Sequence, residues 1–364
     1  MTEKNIPQME PWFGDEEATA VFEYMKSGGW AMEFGRTKEL ERMIAEFTGA
    51  KYCVMTTNGT ISLTLALLAL GLEAGNEVLV PDFTMIASPN AAKLVGIEPV
   101  LVDIDPKTLC MDLDAAERAI TSKTRAMMYV AFNGRAGDMR QIVDFCRKHN
   151  LFLLEDAAQA LGSRQAGKHL GTFGQIGSFS FSVPKIISTG QGGALVTDSD
   201  ELAGKLRRLK DFGRTGGGSD LHDEWGWNFK FTDIQAVIGI EQMKKLSARV
   251  GRKKEIWKKY CELLKDVSQV AMIATNTNDT SPWFIEVFVD DPDGLAAHLK
   301  SHGIGSRRVY PAIHTQKIYC DAWSTESFPV AERVAARGLW LPSASQLSSA
   351  DIVRVADTIK MFYK

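Results

Sequence analysis

The chain has 364 residues, 45% of them hydrophobic, and a net charge of -3 from 42 basic and 45 acidic side chains. That length supports a large core with a smaller second unit, and the near-balanced charge, without a basic stripe, excludes a dedicated nucleic-acid binder. Five cysteines (Cys53, Cys110, Cys146, Cys261 and Cys320), odd in number and without a C-x-x-C pair, exclude a disulfide framework and a zinc site and point to the reduced cytoplasm.

The start, MTEKNIPQMEPWFGDEE, is polar and acidic and lacks the pattern of a signal peptide. The longest apolar stretch, 61–72, is too short to span a bilayer. An arm and a short helix occupy the first thirty residues and end in SGGW at 27–30. KELERMIAEFTG then has the period of an amphipathic helix stopped by Gly49. KYCVMTT is a strand, and NGTISLTLALLALG is a helix that starts just after a turn. EVLVPDF, EPVLVDID, RAMMYVAF and LFLLEDAA are short, nearly continuous apolar runs separated by helical stretches such as LDAAERAI and MRQIVDFCRKHN. Strands buried on both faces and alternating with helices predict an α/β fold with a mainly parallel sheet.

Past residue 176 the texture changes. IGSFSFS and GGALVTD predict two strands joined by a polar, glycine-containing loop, and a long helix is expected over about 233–264. A smaller unit follows, with the strand SPWFIEVFVD, the helix DGLAAHLKSHG and a last amphipathic helix, DIVRVADTIKMF. The boundary is expected near residue 245, giving a large domain at 1–245 and a small one at 246–364.

Four places carry chemistry. Asn58-Gly59-Thr60 lies between a strand and a helix, where backbone amides and a hydroxyl make a phosphate cradle; a plain capped turn has the same sequence. Asp156, with Gln159 three residues on, ends the run LFLLED, and ligands of open α/β sheets sit beyond the carboxyl ends of strands. A carboxylate there suits a protonated pyridine nitrogen, and an ordinary turn-capping aspartate reads equally well. Lys185 follows SFSFSVP and precedes STGQGG; a lysine held in such a loop among apolar neighbours can lose its proton and form a Schiff base with an aldehyde. Ser180, on the preceding strand, is placed to bind phosphate, whereas the plain alternative for Lys185 is a solvated turn lysine. Last, WNFKFTD offers the amide of Asn228 to an anion, with Thr232 or Asp233 as a simple helix cap.

The run Asp156 to Gln159, the stretch FSF-x-x-x-K-x-x-x-T-G-x-G-G around Lys185, and NFKFTDIQAVIG together resemble the DegT/DnrJ/StrS-type sugar aminotransferases, from about Ile6 to the end of the chain. The resemblance implies a fold-type I transferase, with a mixed mainly parallel sheet between helices, a smaller C-terminal α/β domain, and pyridoxal 5'-phosphate at the interface of a homodimer. It implies Lys185 as the Schiff-base lysine, Asp156 as partner of the pyridine nitrogen, and Gln159 near the ring and its phenolic oxygen. Ser180 and the backbone of Gly59 and Thr60 would hold the phosphate, and Asn228 would reach the phosphate of the neighbouring subunit's cofactor.

The sequence departs from the family pattern in four places. G-E-G-G is here Gly190-Gln191-Gly192-Gly193, and the ring-stacking aromatic is replaced by Met85. The usual His and Tyr are Ala131 and Asn133, and the usual Gln is Arg135. Lys185 itself favours transamination over dehydration, since relatives that dehydrate carry histidine there. The segment GIGSRRVYPAIHTQKIY and the short C-terminal domain resemble the members that convert GDP-4-keto-6-deoxymannose to GDP-perosamine with L-glutamate as amino donor. In that group a histidine matching His314 lies near the sugar; a satisfied loop histidine is the alternative. Arg307, Arg308, Arg214 and Arg135 are candidate substrate contacts, because guanidinium forks suit phosphate oxygens. Transamination of a dTDP- or UDP-linked 4-keto or 3-keto sugar, and a non-catalytic regulatory or structural role, are the competing expectations.

Overall fold

A computed structural model of the chain describes residues 5–215, 220–323 and 325–364. The N-terminal arm leads into helix α1 (Asp15–Lys26) and then α2 (Gly35–Thr48). α2 stops at Gly49, whose left-handed φ of 82° lets its amide close back on Ala45 O at 2.8 Å. Strand β1 (Tyr52–Thr56), helix α3 (Gly59–Ala69), β2 (Glu77–Pro81), α4 (Ala87–Lys93), β3 (Glu98–Val102), α5 (Leu113–Ala119), β4 (Thr124–Val130), α6 (Met139–Lys148) and β5 (Phe152–Asp156) then alternate along the chain. A small hairpin, β6 (Arg164–Gln165) and β7 (Lys168–His169), precedes β8 (Ile176–Ser180) and β9 (Gly193–Thr197).

The seven main strands form one sheet in the order β1-β9-β8-β5-β4-β2-β3. From β8 to β3 the strands are parallel, whereas β9 runs antiparallel to both β8 and β1. Successive residues of a strand face opposite sides of the sheet, and both sides are covered, which is why the runs are apolar throughout. Val54, Val78, Val80, Met128 and Leu154 pack on the side of α3, α4 and the helix α7 (Asp200–Lys210). Met55, Leu79, Met127 and Leu153 pack on the other, against α2, α6 and the long helix α8 (Asp233–Leu264). α3 is apolar nearly all round, and seven of its eleven residues are buried, as expected of a helix enclosed by protein.

The smaller unit holds β10 (Ile285–Phe288), α9 (Pro292–Ser301), β11 (Arg307–Arg308), α10 (Pro329–Arg337), β12 (Gly338–Leu341) and α11 (Ser349–Phe362), with the antiparallel sheet order β10-β12-β11. Its core gathers Ile285, Leu299, Leu339, Val355 and Ile359. α8 passes unbroken through residue 245. Ala236 to Leu246 line the large core, while Ile256, Tyr260 and Leu264 belong to the small one. The N-terminal arm also crosses over: Ile6 is 1% exposed in the small core and lies opposite Ile304, donating to Gly303 O and accepting from the Gly305 amide. Among the described residues no helix is long and apolar enough to cross a membrane.

Candidate active site

The parallel strands β2, β4, β5 and β8 all end at one edge of the sheet, and the segments that leave them converge there. At the end of β5, Glu155 and Asp156 point to opposite faces. Glu155 accepts the amides of Gly171, Phe173 and Gly174, and so anchors a loop. Asp156, 5% exposed, accepts from the hydroxyl of Ser88 at 2.7 Å and the amide of Ala158 at 3.2 Å. Burial raises its pKa, and the two hydrogen bonds and the nearby charge of Lys185 act against that rise. A cationic ring nitrogen beside this carboxyl would return it to the ionised form.

Lys185 lies in the segment between β8 and β9, where its amide closes a turn onto Ser182 O at 3.0 Å. Phe181 and Ile187, both 1% exposed, pin the two ends of that turn in the core. The Trp283 indole donates to Pro184 O at 2.7 Å, and the ammonium of Lys185 stands 4.1 Å from the centre of the Trp283 ring. Burial pulls the Lys185 pKa down from 10.5 to about 8, with Asp156 opposing. An amine near that value is partly unprotonated at neutral pH, which is what attack on an aldehyde requires.

Lys185, Ser180, Ala158, Gln159, Ser281 and Trp283 line one cavity. Gly59 opens α3 directly against Ser180: a Cβ at Gly59 would sit 2.9 Å from Ser180 Cβ and 3.2 Å from its Oγ. Asn58 caps the helix by accepting from Ile61 at 3.0 Å, and its carbonyl takes the amide of Ser62. The amides of Gly59 and Thr60 are then the first-turn donors left over, at the positive end of the helix dipole and beside a serine hydroxyl. Together this is a phosphate cradle, an acid for a ring nitrogen and a deprotonatable lysine for an aldehyde, the donor set that pyridoxal phosphate requires.

Met85 is 43% exposed on the segment after β2, three residues before Ser88. His314 is half-buried and held to the buried Asp82, also just past β2, by its backbone amide at 2.8 Å and its Nδ1 at 2.6 Å. Asn228 is exposed, meets Asp211 through a backbone bridge and does not line the cavity that Lys185 shares with Ser180. Two of the expected substrate contacts are engaged elsewhere. Arg308 donates to Asp293 and to the carbonyls of Ala335 and Ala336 at the end of α10, which is a helix-terminus contact. Arg135 is 5% exposed and paired with Glu286 at 2.5 Å. Arg214 pairs with Asp220 at 3.2 Å, and the exposed Arg307 stacks on Trp340. Ser88, Trp283 and Tyr310, whose phenol is pushed up by burial and by the charge of Asp156, carry no motif that marks them in the sequence.

The profile of the DegT/DnrJ/EryC1/StrS aminotransferase family matches residues 12–360. The chain belongs to that family. This aminotransferase is 35% identical over 363 residues to a GDP-perosamine synthase of Escherichia coli O157:H7, covering 99% of both chains. It is 32% identical to a GDP-perosamine synthase of Vibrio cholerae, covering 98% of this chain and 99% of that one. Among solved structures, the aminotransferase TlmJ of Streptoalloteichus hindustanus superposes with a TM-score of 0.93 at 30% identity over 99% of both chains. The architecture is therefore that of fold-type I transferases, and the enzyme is a pyridoxal phosphate-dependent aminotransferase.

Proposed function

We propose that this aminotransferase converts GDP-4-keto-6-deoxymannose to GDP-perosamine, taking the amino group from L-glutamate. The observation that carries the reading is the full-length similarity to GDP-perosamine synthases together with an intact Lys185, Asp156 and Ser180. When bound, pyridoxal phosphate supplies an electron sink that lowers the barrier to removing a proton from carbon. Asp156 holds the ring nitrogen protonated, so that the sink is strong. Ser180 and the amides of Gly59 and Thr60 hold the phosphate. The Nζ of Lys185 would carry the proton removed from the α-carbon of the amino donor. In the second half it runs the same transfer in reverse for the sugar. Trp283, packed against Nζ, excludes water from that path.

A second copy of the chain completes the site in this reading. Trp12, Phe13, Phe22, Met25, Trp30, Met32 and Phe34 are large apolar side chains left exposed along the N-terminal region, and Asn228 is exposed as well. A homodimer would cover them and bring Asn228 to the neighbouring phosphate. His314, held by Asp82 near the strand ends, would meet the sugar in this reading. All five cysteines are free, in keeping with a cytoplasmic enzyme. The test is a panel of GDP-, dTDP- and UDP-linked 4-keto and 3-keto sugars with L-glutamate, with products identified by mass and NMR. Amination of the GDP-linked 4-keto sugar at a kcat/KM at least tenfold above the others supports the proposal, and preference for another nucleotide or for C3 overturns it.

A further inference from the structure

The departures at Asn133 and Arg135 converge on one side chain of the small unit. Glu286, on β10 and 4% exposed, pairs through Oε1 with the guanidinium of Arg135 at 2.5 Å and accepts the Asn133 carboxamide through Oε2. Arg135 is held in turn by Thr108 O at 3.1 Å and Thr275 Oγ1 at 3.5 Å. Asn133 is wholly buried and sits in the left-handed region at φ 50° and ψ 32°, a conformation that asparagine tolerates better than most residues. Its side-chain oxygen also takes the Phe284 amide at 3.4 Å, so both ends of the carboxamide are tied to β10 and its approach. The same residue's backbone N–H then donates to Gln159 at 2.8 Å.

That last contact decides which way Gln159 faces. A backbone N–H can only donate, so the Gln159 atom it meets must be Oε1. The NH2 end is what remains for the cavity that Gln159 shares with Lys185 and Ser180. Pyridoxal phosphate has four polar features. The aldehyde belongs to Lys185, the phosphate to Ser180 and the start of α3, and the ring nitrogen to Asp156. The resemblance already implies that Gln159 lies by the remaining phenolic oxygen, and a carboxamide NH2 is a donor which that oxygen can accept.

We infer that Glu286 is a positioning residue: by holding Asn133, whose backbone meets Gln159, it fixes Gln159 with its NH2 turned toward the cofactor's phenolic oxygen. The inference does not depend on which sugar is aminated. Buried polar contacts run from the small unit into the site: Glu286 holds the Asn133 side chain, and the Asn133 backbone holds Gln159, so each restricts the rotation of the next. Gln159 free of this contact would no longer hold its NH2 in one direction.

The test reads the cofactor's visible spectrum at a fixed pH. A donor on the phenolic oxygen makes that oxygen less basic and favours the unprotonated form of the Lys185-linked cofactor. Gln159→Leu removes the donor and should raise the ratio of the long-wavelength, protonated form to the short-wavelength form by about tenfold, the size of one hydrogen bond to a charged group. Glu286→Gln should shift the ratio in the same direction, and the double variant should shift it no further than Gln159→Leu alone. A Glu286→Gln protein with the wild-type ratio, or shifts that add in the double variant, would overturn the inference. Should Glu286→Gln fail to fold, Asn133→Gly takes its place. Glycine accepts the left-handed backbone but cuts the link to Glu286, so the same rise is expected and an unchanged ratio refutes the proposal.

Discussion

Replacing Asp156 by Asn should push two observables in opposite directions. In the wild-type protein burial draws the Lys185 pKa to about 8 while the charge of Asp156 holds it from falling further. At pH 7 a group of that value is unprotonated in about one molecule in ten, against roughly one in three thousand for an ordinary lysine. The rate of cofactor capture should therefore rise with pH, because only the free amine attacks, and level off above about 8. Asn keeps an acceptor for Ser88 and Ala158 but carries no charge, so the midpoint of capture should move down in pH and capture at pH 7 should quicken. Turnover should move the other way. Without a carboxylate the ring nitrogen is not kept protonated, and transamination should fall by about a hundredfold or more, the scale of losing one preorganised charge partner. Stopped-flow mixing of apo-protein with pyridoxal phosphate across pH 6 to 10 gives the first observable, and product formation gives the second. A wild-type midpoint near that of free lysine, or a midpoint that rises in Asp156→Asn, would refute the reasoning.

Gly59→Ala sets a methyl 2.9 Å from Ser180 Cβ, so either α3 or β8 must yield at the cradle. Cofactor affinity, followed by fluorescence, should weaken by about tenfold, and a melting curve should show the cost of overpacking, about 1–3 kcal/mol. Lys185→Ala should lower turnover by about a thousandfold or more, and borohydride reduction of the wild-type holoenzyme should tag Lys185; a tag on another lysine refutes the site. Arg308→Ala should leave kcat/KM within about twofold, since its guanidinium holds Asp293 and the end of α10, and a large rise in KM for the sugar would show that the sequence expectation was the correct one. Asn228→Ala should weaken cofactor retention in a way that depends on protein concentration if the amide comes from a second subunit, and a uniform affinity across dilution would leave it as a turn residue.

The strands of the large sheet can be read from the chain because a parallel sheet covered on both faces demands unbroken apolar runs, and RAMMYVAF or LFLLEDAA have few other uses. Asp156 and Lys185 are legible for a related reason. A polar residue at the end of such a run, or a lysine held in a tight turn between two buried aromatic and aliphatic anchors, is costly unless it serves chemistry. What the sequence hides is set by long-range docking. Nothing local says that β9 inserts antiparallel between β1 and β8, or that GLWL becomes the middle strand β12 of the small sheet. Arg135 has the same difficulty. In a loop, next to glycines, an arginine reads as a phosphate ligand, and only the arrival of β10 turns it inward. Yet a sign was present in SPWFIEVFVD, where a single glutamate sits inside an otherwise apolar strand. A carboxylate whose strand neighbours Ile285 and Val287 are both fully buried must find a cation or hydrogen-bond donors across from it. Reading Glu286 as a demand for a partner, and Arg135 as a cation in want of one, joins two residues that the local pattern treats separately.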